Sequence, residues 1–298
     1  MAAPLRIQSN WAQTLRKDEG EAWLSCHPSG KPSLYGSLTC QGIGLGGIPE
    51  KSIHISCPKE NASSKFLAPY TTFSRVHTKS ITCLDISSGG GLGVSSSSDG
   101  SMKIWQASDG ELRRVLEGHV FDVNCCRFFP SGLVVLSGGM DAQLKIWSAE
   151  DASCVATFKG FERKVGTEAK MLLVAQEDKK LQCLGLQSRQ LVFLFIGSDA
   201  FNCCTFLSGF LLDVRSPRAP VQVLHRSGAP VLSLLNFRDG FIASQGDGSC
   251  FIVQQDLDYA IELSGADCDP VYKVAMWEKQ IYTCCRDGLL RRYQLSDL

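Results

Sequence analysis

Histidine, serine and aspartate occur in two sets with the same order and spacing, and these residue types together can activate a serine for acyl transfer. The intervals from histidine to aspartate and from aspartate to a following tryptophan are identical in the two sets. The two sets are His77, Ser95, Asp99, Trp105 and His119, Ser137, Asp141, Trp147. A hydrolase needs one such set and an oxyanion-binding element, whereas here the set recurs without that element.

The recurrence favours a structural role over catalysis. The aspartate can accept a hydrogen bond from the histidine, the histidine can bond to the serine, and the serine hydroxyl can reach the indole N–H. Every polar group of such a buried network then has a partner, as native structures require. Hydrogen bonds to charged groups contribute about 1.5–3 kcal/mol each, so we expect the networks to stabilise the fold.

The two sets belong to a longer repeat. Residues 75–116 (the first repeat) and 117–158 (the second repeat) superimpose without a gap, at an offset of 42. Each contains four apolar or β-branched runs separated by Gly, Asp and Pro, a pattern that suits a four-stranded antiparallel sheet. A period of about 40–45 residues with a strand-borne tryptophan is typical of a WD-type β-propeller blade. The sequence therefore predicts an all-β, WD40-type β-propeller.

The C-terminal half keeps this spacing but loses the signature residues. The interval from His225 to Asp247 equals the histidine-to-aspartate interval of the two sets, and Val253 stands where the tryptophan is expected. Asp287 follows Asp247 by slightly less than one repeat, and Tyr293 takes the tryptophan position. We interpret these segments as degenerate blades, since a propeller requires only that the apolar faces of its sheets stack.

The spacing is interrupted at two places. Residues 202–206 are similar to residues 124–128, but they reach a strand exit at Leu212 in less than half the interval that separates 124–128 from Trp147. The repeat that begins after Gly160 is also short. The sequence therefore predicts the seven-bladed architecture with about one and a half blades missing or truncated.

The N-terminal region differs from the rest, and we divide the chain into an N-terminal segment, 1–70, and a propeller, 71–298. The segment contains a predicted short helix and three predicted strands, at 10–17 and at 22–26, 34–40 and 53–57. An unpaired strand edge is a liability in a sheet protein. We therefore expect one strand of the segment to close the ring by completing the last blade.

Composition argues against several classes of partner. The 30 basic and 30 acidic residues balance, so no overall field attracts nucleic acid. The N-terminus does not resemble a signal peptide, and the longest apolar stretch, 191–196, is far shorter than the roughly 20 residues of a membrane-spanning helix. We expect a protein of the cytoplasm, with the nucleus as a second compartment, and no membrane association.

Metal ions and cofactors are not predicted either. The 14 cysteines include no Cys-x-x-Cys motif, and adjacent cysteines in a strand point to opposite faces, so we expect buried free thiols. Residues 42–47 match a glycine-rich dinucleotide pattern, but a strand follows them where that motif needs a helix. We expect no cofactor.

Several stretches resemble the family of proteasomal ATPase-associated factors, which are WD-repeat proteins. They are residues 118–132 (GHVFDVNCCRFFPSG), 137–147 (SGGMDAQLKIW), 201–210, 246–256 and 282–298. The resemblance implies a non-catalytic protein that binds ATPase subunits of the proteasome regulatory particle. It further implies roles as an assembly chaperone and as a negative regulator of assembly and activity of the 26S proteasome.

The fold suggests where a partner would bind, although no contact residue can be transferred by motif. In a propeller, the loops that enter the blades and the turns between second and third strands form one face. The candidate contact residues on this face are Phe121, Asp122, Met140, Arg226 and Arg286.

Two alternatives remain open. Residues 212–215 (LDVR) resemble the aromatic-Asp-x-Arg box of propellers that serve as substrate receptors of cullin–RING ubiquitin ligases, with Leu212 in the aromatic position. An enzyme is the other alternative, but propeller hydrolases need a funnel of metal ligands or carboxylates, which this sequence does not supply.

Overall fold

The computed structural model describes three long sections of the chain and, between the second and third of them, three strands. The sections are residues 4–39, 51–158 and 229–295, without the single positions 18, 29, 75, 142, 255, 256 and 258. Between the second and third sections it describes only the backbones of the three strands given below. The predicted interruption near 202–215 and the candidate Arg226 lie outside the described residues, and only the backbone of 171–175 is described within the predicted interruption near 161–178.

The N-terminal segment forms strands and little helix. Its elements are β1 (Leu5–Ile7), α1 (Trp11–Thr14), β2 (Glu21–Cys26), β3 (Leu34–Thr39), β4 (Ser52–Cys57), a 3-10 turn (Pro58–Glu60) and β5 (Ala62–Leu67), and β6 (Thr71–Phe73) follows the segment. The three predicted strands are confirmed as β2, β3 and β4, and the predicted helix is confined to one turn. β1, β2 and β3 form an antiparallel sheet.

Each of the two repeats folds as one four-stranded antiparallel sheet, as the four apolar runs predict. The strands of the first repeat are β7 (Ile81–Ile86), β8 (Leu92–Ser97), β9 (Met102–Gln106) and β10 (Leu112–Leu116). Those of the second repeat are β11 (Val123–Phe128), β12 (Val134–Gly139), β13 (Leu144–Ser148) and β14 (Cys154–Phe158). The strands follow one another in space in chain order, so each repeat is a meander.

The later part of the chain continues the same pattern. β15 (Met171–Ala175), β16 (Lys180–Gly185) and β17 (Leu191–Ile196) form a three-stranded antiparallel sheet. β18 (Val231–Phe237), β19 (Gly240–Gln245), β20 (Cys250–Val253) and β21 (Ala260–Leu263) form the next sheet, and β22 (Val271–Trp277), β23 (Gln280–Cys285) and β24 (Leu290–Gln294) form the last.

N-terminal strands complete both C-terminal sheets. β5 pairs in parallel with β21, with Leu67 opposite Leu263, and β4 continues that sheet to six strands. β6 pairs antiparallel with β24, with Phe73 opposite Leu290. The strand that completes the last sheet therefore begins at Thr71, directly after the predicted segment 1–70, and a second strand from inside that segment completes the sheet before it.

Four sheets pack face to face in a series, and the first strands of neighbouring sheets lie against each other. β18 lies against β22, β22 against β7, and β7 against β11. One core contains Val94 and Ile104 of the first repeat with Val135 of the second. A second core joins the first repeat to the last sheet, and a third joins the last sheet to the β18–β21 sheet. The apolar faces buried between neighbouring sheets, at about 25 cal/mol per Å², supply the main stabilisation.

An Asp-Gly turn between the second and third strands touches the loop that enters the next sheet. Gly100 has φ +79°, and a Cβ there would lie 3.3 Å from the carbonyl oxygen of Phe121. Gly288 repeats this arrangement in the last sheet, with φ +77° and a Cβ position 3.1 Å from the carbonyl oxygen of Lys79. The left-handed backbone and the close approach favour glycine at these positions. These turns and entering loops form one end of the packed sheets, which we call the turn face.

Candidate functional site

The second repeat contains a hydrogen-bonded chain of four side chains. The indole Nε1 of Trp147 donates to Ser137 Oγ at 2.7 Å, and Ser137 Oγ lies 2.7 Å from His119 Nε2. His119 Nδ1 lies 2.8 Å from Asp141 Oδ2. Because an indole N–H can only donate, the serine proton goes to Nε2, and Nδ1–H donates to the carboxylate. The His119 and Asp141 side chains are 1% and 4% exposed, so this hydrogen bond is shielded from solvent.

The first repeat has the same tryptophan, serine and histidine but a different last link. Trp105 Nε1 donates to Ser95 Oγ at 3.0 Å, and His77 Nε2 lies 2.8 Å from that oxygen. His77 Nδ1 bonds instead to Ser101 Oγ at 3.2 Å, while Asp99 Oδ1 accepts the backbone N–H of Ser101 at 2.9 Å. The expectation that Asp99 accepts from His77 is therefore wrong for this repeat.

A serine in place of a glycine explains the missing histidine–aspartate bond. Ser97 of the first repeat corresponds to Gly139 of the second. A Cβ at Gly139 would lie 3.2 Å from His119 Nδ1 and 3.1 Å from Asp141 Oδ1, in the space beside that hydrogen bond. Ser97 has a Cβ, and its hydroxyl accepts the backbone N–H of Asp99 at 3.5 Å. Asp99 is thus held by Ser97 and Ser101 and not by the histidine.

A lysine that the repeats share contacts different groups in each. Lys103 Nζ donates to the carbonyl oxygen of Val76 at 2.8 Å, next to His77 in the chain. The equivalent Lys145 donates to Thr157 Oγ1 at 3.1 Å, a hydroxyl that the first repeat lacks because Val115 occupies that position.

The two networks also differ in charge. Burial, and then the positive charge of Lys103, lowers the pKa of His77 to about 4, against the opposing attraction of Asp99. Burial acts to raise the pKa of Asp141, but the hydrogen bond from His119 and the backbone N–H groups outweigh it, so that pKa is below its ordinary value. The second network therefore holds a carboxylate beside its histidine, and the first holds a neutral histidine beside a lysine.

The last sheet replaces the network with other residues. Tyr293, at the tryptophan position, donates its hydroxyl to the carbonyl oxygen of Ser264 at 2.7 Å, and burial raises its pKa. Asp287 in the turn pairs with the buried Arg291 in place of a histidine. In the sheet before it, Asp247 pairs with Arg6 of the N-terminal sheet at 2.7 Å. The aspartates of the degenerate blades therefore keep cationic partners, one from the next strand of the same sheet and one from the N-terminal sheet.

The serine hydroxyls of the two networks are not placed for nucleophilic attack. Ser95 and Ser137 are completely buried, and each oxygen already accepts an indole N–H and bonds to a histidine. Among the described residues, no group of three or more His, Cys, Asp or Glu side chains could hold a metal ion. The described part of the chain also contains no helix of the length and apolarity that a membrane span needs.

The turn face carries three of the candidate contact residues close together. Phe121 and Met140 are 60% and 65% exposed. The backbone carbonyl oxygen of Asp122 accepts the backbone N–H of Met140 at 2.9 Å. Val120 adds a further exposed apolar side chain. Arg286 lies in the turn of the last sheet, where its guanidinium pairs with Asp269 at 2.8 Å. Their role in binding stays a prediction.

Sequence reasoning missed the residues that make the networks differ. The signal was present in the alignment of the two repeats, in which Ser97 is aligned with Gly139 and Ser101 with Gln143. The positions at which the two repeats differ, and not the shared ones, decide how Asp99 is held. Val120 was also missed, although it adjoins a candidate residue in the loop.

A family model for the WD domain, G-beta repeat, matches residues 68–106 and 110–148. Together with the packed four-stranded sheets and the histidine networks, this match defines the protein as a WD40-type β-propeller. Over 392 aligned residues the chain is 70% identical to human proteasomal ATPase-associated factor 1 and 60% identical to the chicken protein of that name, with both chains covered completely in each case. A Dictyostelium discoideum protein, probable proteasomal ATPase-associated factor 1, is 25% identical over 97% of this chain and 95% of its own. The chain belongs to the proteasomal ATPase-associated factor 1 family.

The alignments also show that this chain is internally shorter than its relatives. The alignment with the human protein spans 392 residues and this chain has 298, so 94 aligned positions, the difference, have no residue here. Both proteins are covered from end to end, and the missing positions are therefore internal. They correspond to about two repeats of this propeller type, and the interruptions in the spacing indicate about one and a half.

Proposed function

We propose that this protein is a non-catalytic WD40 protein that binds ATPase subunits of the proteasome regulatory particle. The observation that carries the proposal is the 60–70% identity, over the whole chain, to proteins named for their association with proteasomal ATPases. In this proposal, it acts as an assembly chaperone and negative regulator of the 26S proteasome, because an ATPase subunit held on the propeller is sterically kept from joining the core particle.

The turn face is the proposed docking surface. Val120, Phe121 and Met140 expose apolar area in two neighbouring segments, and central aromatic and methionine side chains are the usual anchors of protein interfaces. Asp122 beside them and Arg286 in the last sheet supply charges of both signs at the edge. Arg226, in the candidate set but outside the described residues, is proposed for the same face.

A matched pair of substitutions tests the surface. Met140 and Leu133 are equally exposed, at 65%, and lie at opposite ends of β12, so an aspartate at either position makes the same chemical change. We expect Met140→Asp, alone or with Phe121→Asp, to reduce recovery of purified proteasomal ATPase subunits at least tenfold in a pull-down. Leu133→Asp is expected to bind as the unchanged chain does. Circular dichroism melts serve to check that all variants are folded.

The full-length human relative serves as the reference in the same assay. Equal recovery with Met140→Asp and with Leu133→Asp would contradict the proposed face. Absence of ATPase subunits from the unchanged chain, with recovery by the human protein, would contradict the function itself. Recovery of cullin adaptors in place of ATPase subunits would favour the ubiquitin-ligase alternative.

Two further parts of the proposal have their own tests. Buried, doubly hydrogen-bonded serines support the non-catalytic assignment, and turnover of ester or phosphate substrates by the pure chain would contradict it. We also place the protein in the cytoplasm and the nucleus, and imaging of a tagged chain tests this.

A further inference from the structure

The aspartate between the second and third strands is held by the same hydrogen bond in four of the described sheets. Its Oδ1 accepts the backbone N–H of the residue two positions later, at 2.9–3.2 Å. The four residues are Asp99, Asp141, Asp247 and Asp287. Each oxygen of an ionised carboxylate can accept hydrogen bonds, so this bond leaves Oδ2 for a second partner.

In three of the four turns, Oδ2 bonds to a basic side chain. The bonds are His119 Nδ1 to Asp141 at 2.8 Å, Arg6 Nη2 to Asp247 at 2.7 Å, and Arg291 Nη2 to Asp287. Asp99 differs, because no basic side chain among the described residues pairs with its carboxylate. Burial acts to raise the pKa of Asp99, but hydrogen bonds from Ser101 and Ser97 outweigh it, so the pKa is below its ordinary value. Asp99 is therefore charged at neutral pH, and no described residue neutralises that charge.

Asp99 is exposed at the turn face, in a corner formed by the turn 98–101 and the loop 117–122, which we call the Asp99 corner. The turn touches the loop through the glycine that follows Asp99. The loop exposes the apolar side chains of Val120 and Phe121. The two segments contain no lysine or arginine, and their acidic residues are Asp99, Glu117 and Asp122. The Asp99 corner thus combines exposed apolar side chains with negative charge.

The corresponding corner of the β18–β21 sheet contains an arginine from another part of the chain. Its turn meets the loop that enters the last sheet, where a Cβ at Gly248 would lie 2.3 Å from the carbonyl oxygen of Asp267. β1 of the N-terminal sheet borders the same turn and loop, and its Arg6 pairs with Asp247. The Arg6 and Asp247 side chains are 37% and 21% exposed, so the pair lies near the surface. The molecule therefore contains its own example of an extended strand that places an arginine on a turn aspartate.

We propose that the Asp99 corner binds an extended segment of the partner protein, and that Asp99 anchors an arginine of this segment as Asp247 anchors Arg6. A guanidinium suits the site because it is weakly hydrated and forms directed hydrogen bonds with a carboxylate. Apolar neighbours of the arginine pack on Val120 and Phe121 and exclude water from the ion pair, which strengthens it. This inference rests on the proposed function, since the partner concerned is a proteasomal ATPase subunit.

An isosteric substitution with a matched control tests the anchor. Asp99→Asn removes the charge but keeps an oxygen that can accept the backbone N–H of Ser101. Asp109 is also exposed in an Asp-Gly turn, and its Oδ1 accepts the backbone N–H of Glu111 at 2.8 Å. This turn joins β9 to β10 and so lies at the opposite end of the sheet from the Asp99 corner. Asp109→Asn therefore makes the same chemical change away from the proposed site.

Dissociation constants for purified proteasomal ATPase subunits, measured by biolayer interferometry, compare the two variants. We expect Asp99→Asn to raise the dissociation constant about tenfold, because it leaves the partner's arginine without its carboxylate in the interface. Asp109→Asn is expected to bind as the unchanged chain does. Added salt should weaken binding of the unchanged chain more than binding of Asp99→Asn, since salt screens the ion pair. Circular dichroism melts serve to check that both variants are folded.

Modification with phenylglyoxal, which reacts with guanidinium groups, tests the type of residue that Asp99 binds. The complexes of the unchanged chain and of Asp99→Asn, each at saturating concentration, are treated with the reagent and mapped by mass spectrometry. We expect one arginine of the ATPase subunit to be protected with the unchanged chain and to react with the variant. The same protection in both complexes would contradict an arginine on Asp99.

The binding measurements separate failure of this inference from failure of the proposed function. Equal dissociation constants for Asp99→Asn and Asp109→Asn, with the ATPase subunits bound, would overturn the anchor and leave the proposed function standing. If the human relative binds the ATPase subunits and the unchanged chain does not, both are overturned.

Discussion

The first and second repeats have the same strands, the same tryptophan–serine–histidine chain and the same turn aspartate, yet they are stabilised differently. In the second repeat Asp141 is bonded to His119 at 2.8 Å within a shielded pair. In the first, the neutral His77 bonds to Ser101 at 3.2 Å, and Asp99 is held by hydroxyl and backbone groups near the surface. The comparison teaches that a shared signature fixes the tryptophan, serine and histidine of the network but neither the group that bonds to the second histidine nitrogen nor the charge.

Removing the histidine should separate the two repeats most clearly. His119→Ala leaves the Asp141 carboxylate buried without its partner, which costs about 3–5 kcal/mol. His77→Ala removes hydrogen bonds to two serines and leaves no carboxylate unpaired, so we expect about 1–2 kcal/mol. Urea titrations give both changes in the free energy of unfolding, and equal losses would contradict the distinction.

The first repeat should make stability pH-dependent between about pH 6.5 and 4. The pKa of His77 is lowered from 6.5 to about 4 in the folded state, so in this window the unfolded chain binds a proton that the folded chain does not. The free energy of unfolding therefore falls as the pH falls from about 6.5 to 4, by about 3 kcal/mol in total. His77→Gln should remove this part of the slope. Urea titrations at several pH values measure the slope for the unchanged chain and for the variant. The same slope in both proteins would contradict the assignment to His77.

Exchanging the residue types at Ser97 and Gly139 should make the hydrogen bonding of each network more like that of the other. Gly139→Ser places a Cβ 2.9 Å from the carbonyl oxygen of Asp122 and beside the His119–Asp141 bond. We expect it to weaken that bond and to cost about 2 kcal/mol, as overpacking does. Ser97→Gly should let Asp99 approach His77 and raise the pKa of that histidine, which NMR titration measures. If the pKa of His77 stays where it is, the serine is not what separates the pair.

Much of the fold and part of the site could be predicted from local patterns. The period of the repeat and the alternation of apolar runs predict the two sheets, because the spacing of strands and turns is written within each repeat. The pairing of β5 with β21 could not be predicted, since these strands lie about 200 residues apart and local propensity does not select among open sheet edges. For the same reason the Arg6–Asp247 pair was not foreseen.

The sequence by itself determined that the chain repeats a four-stranded blade, that each clear blade contains a tryptophan, a serine and a histidine, and that the repeat is interrupted. It could do so because these features depend on residue type and spacing. Only the tertiary structure decided that Asp141 reaches its histidine while Asp99 does not, and that β5 pairs with β21. Those outcomes depend on the space that one Cβ occupies and on which strands become neighbours, and both are set by packing between residues distant in sequence.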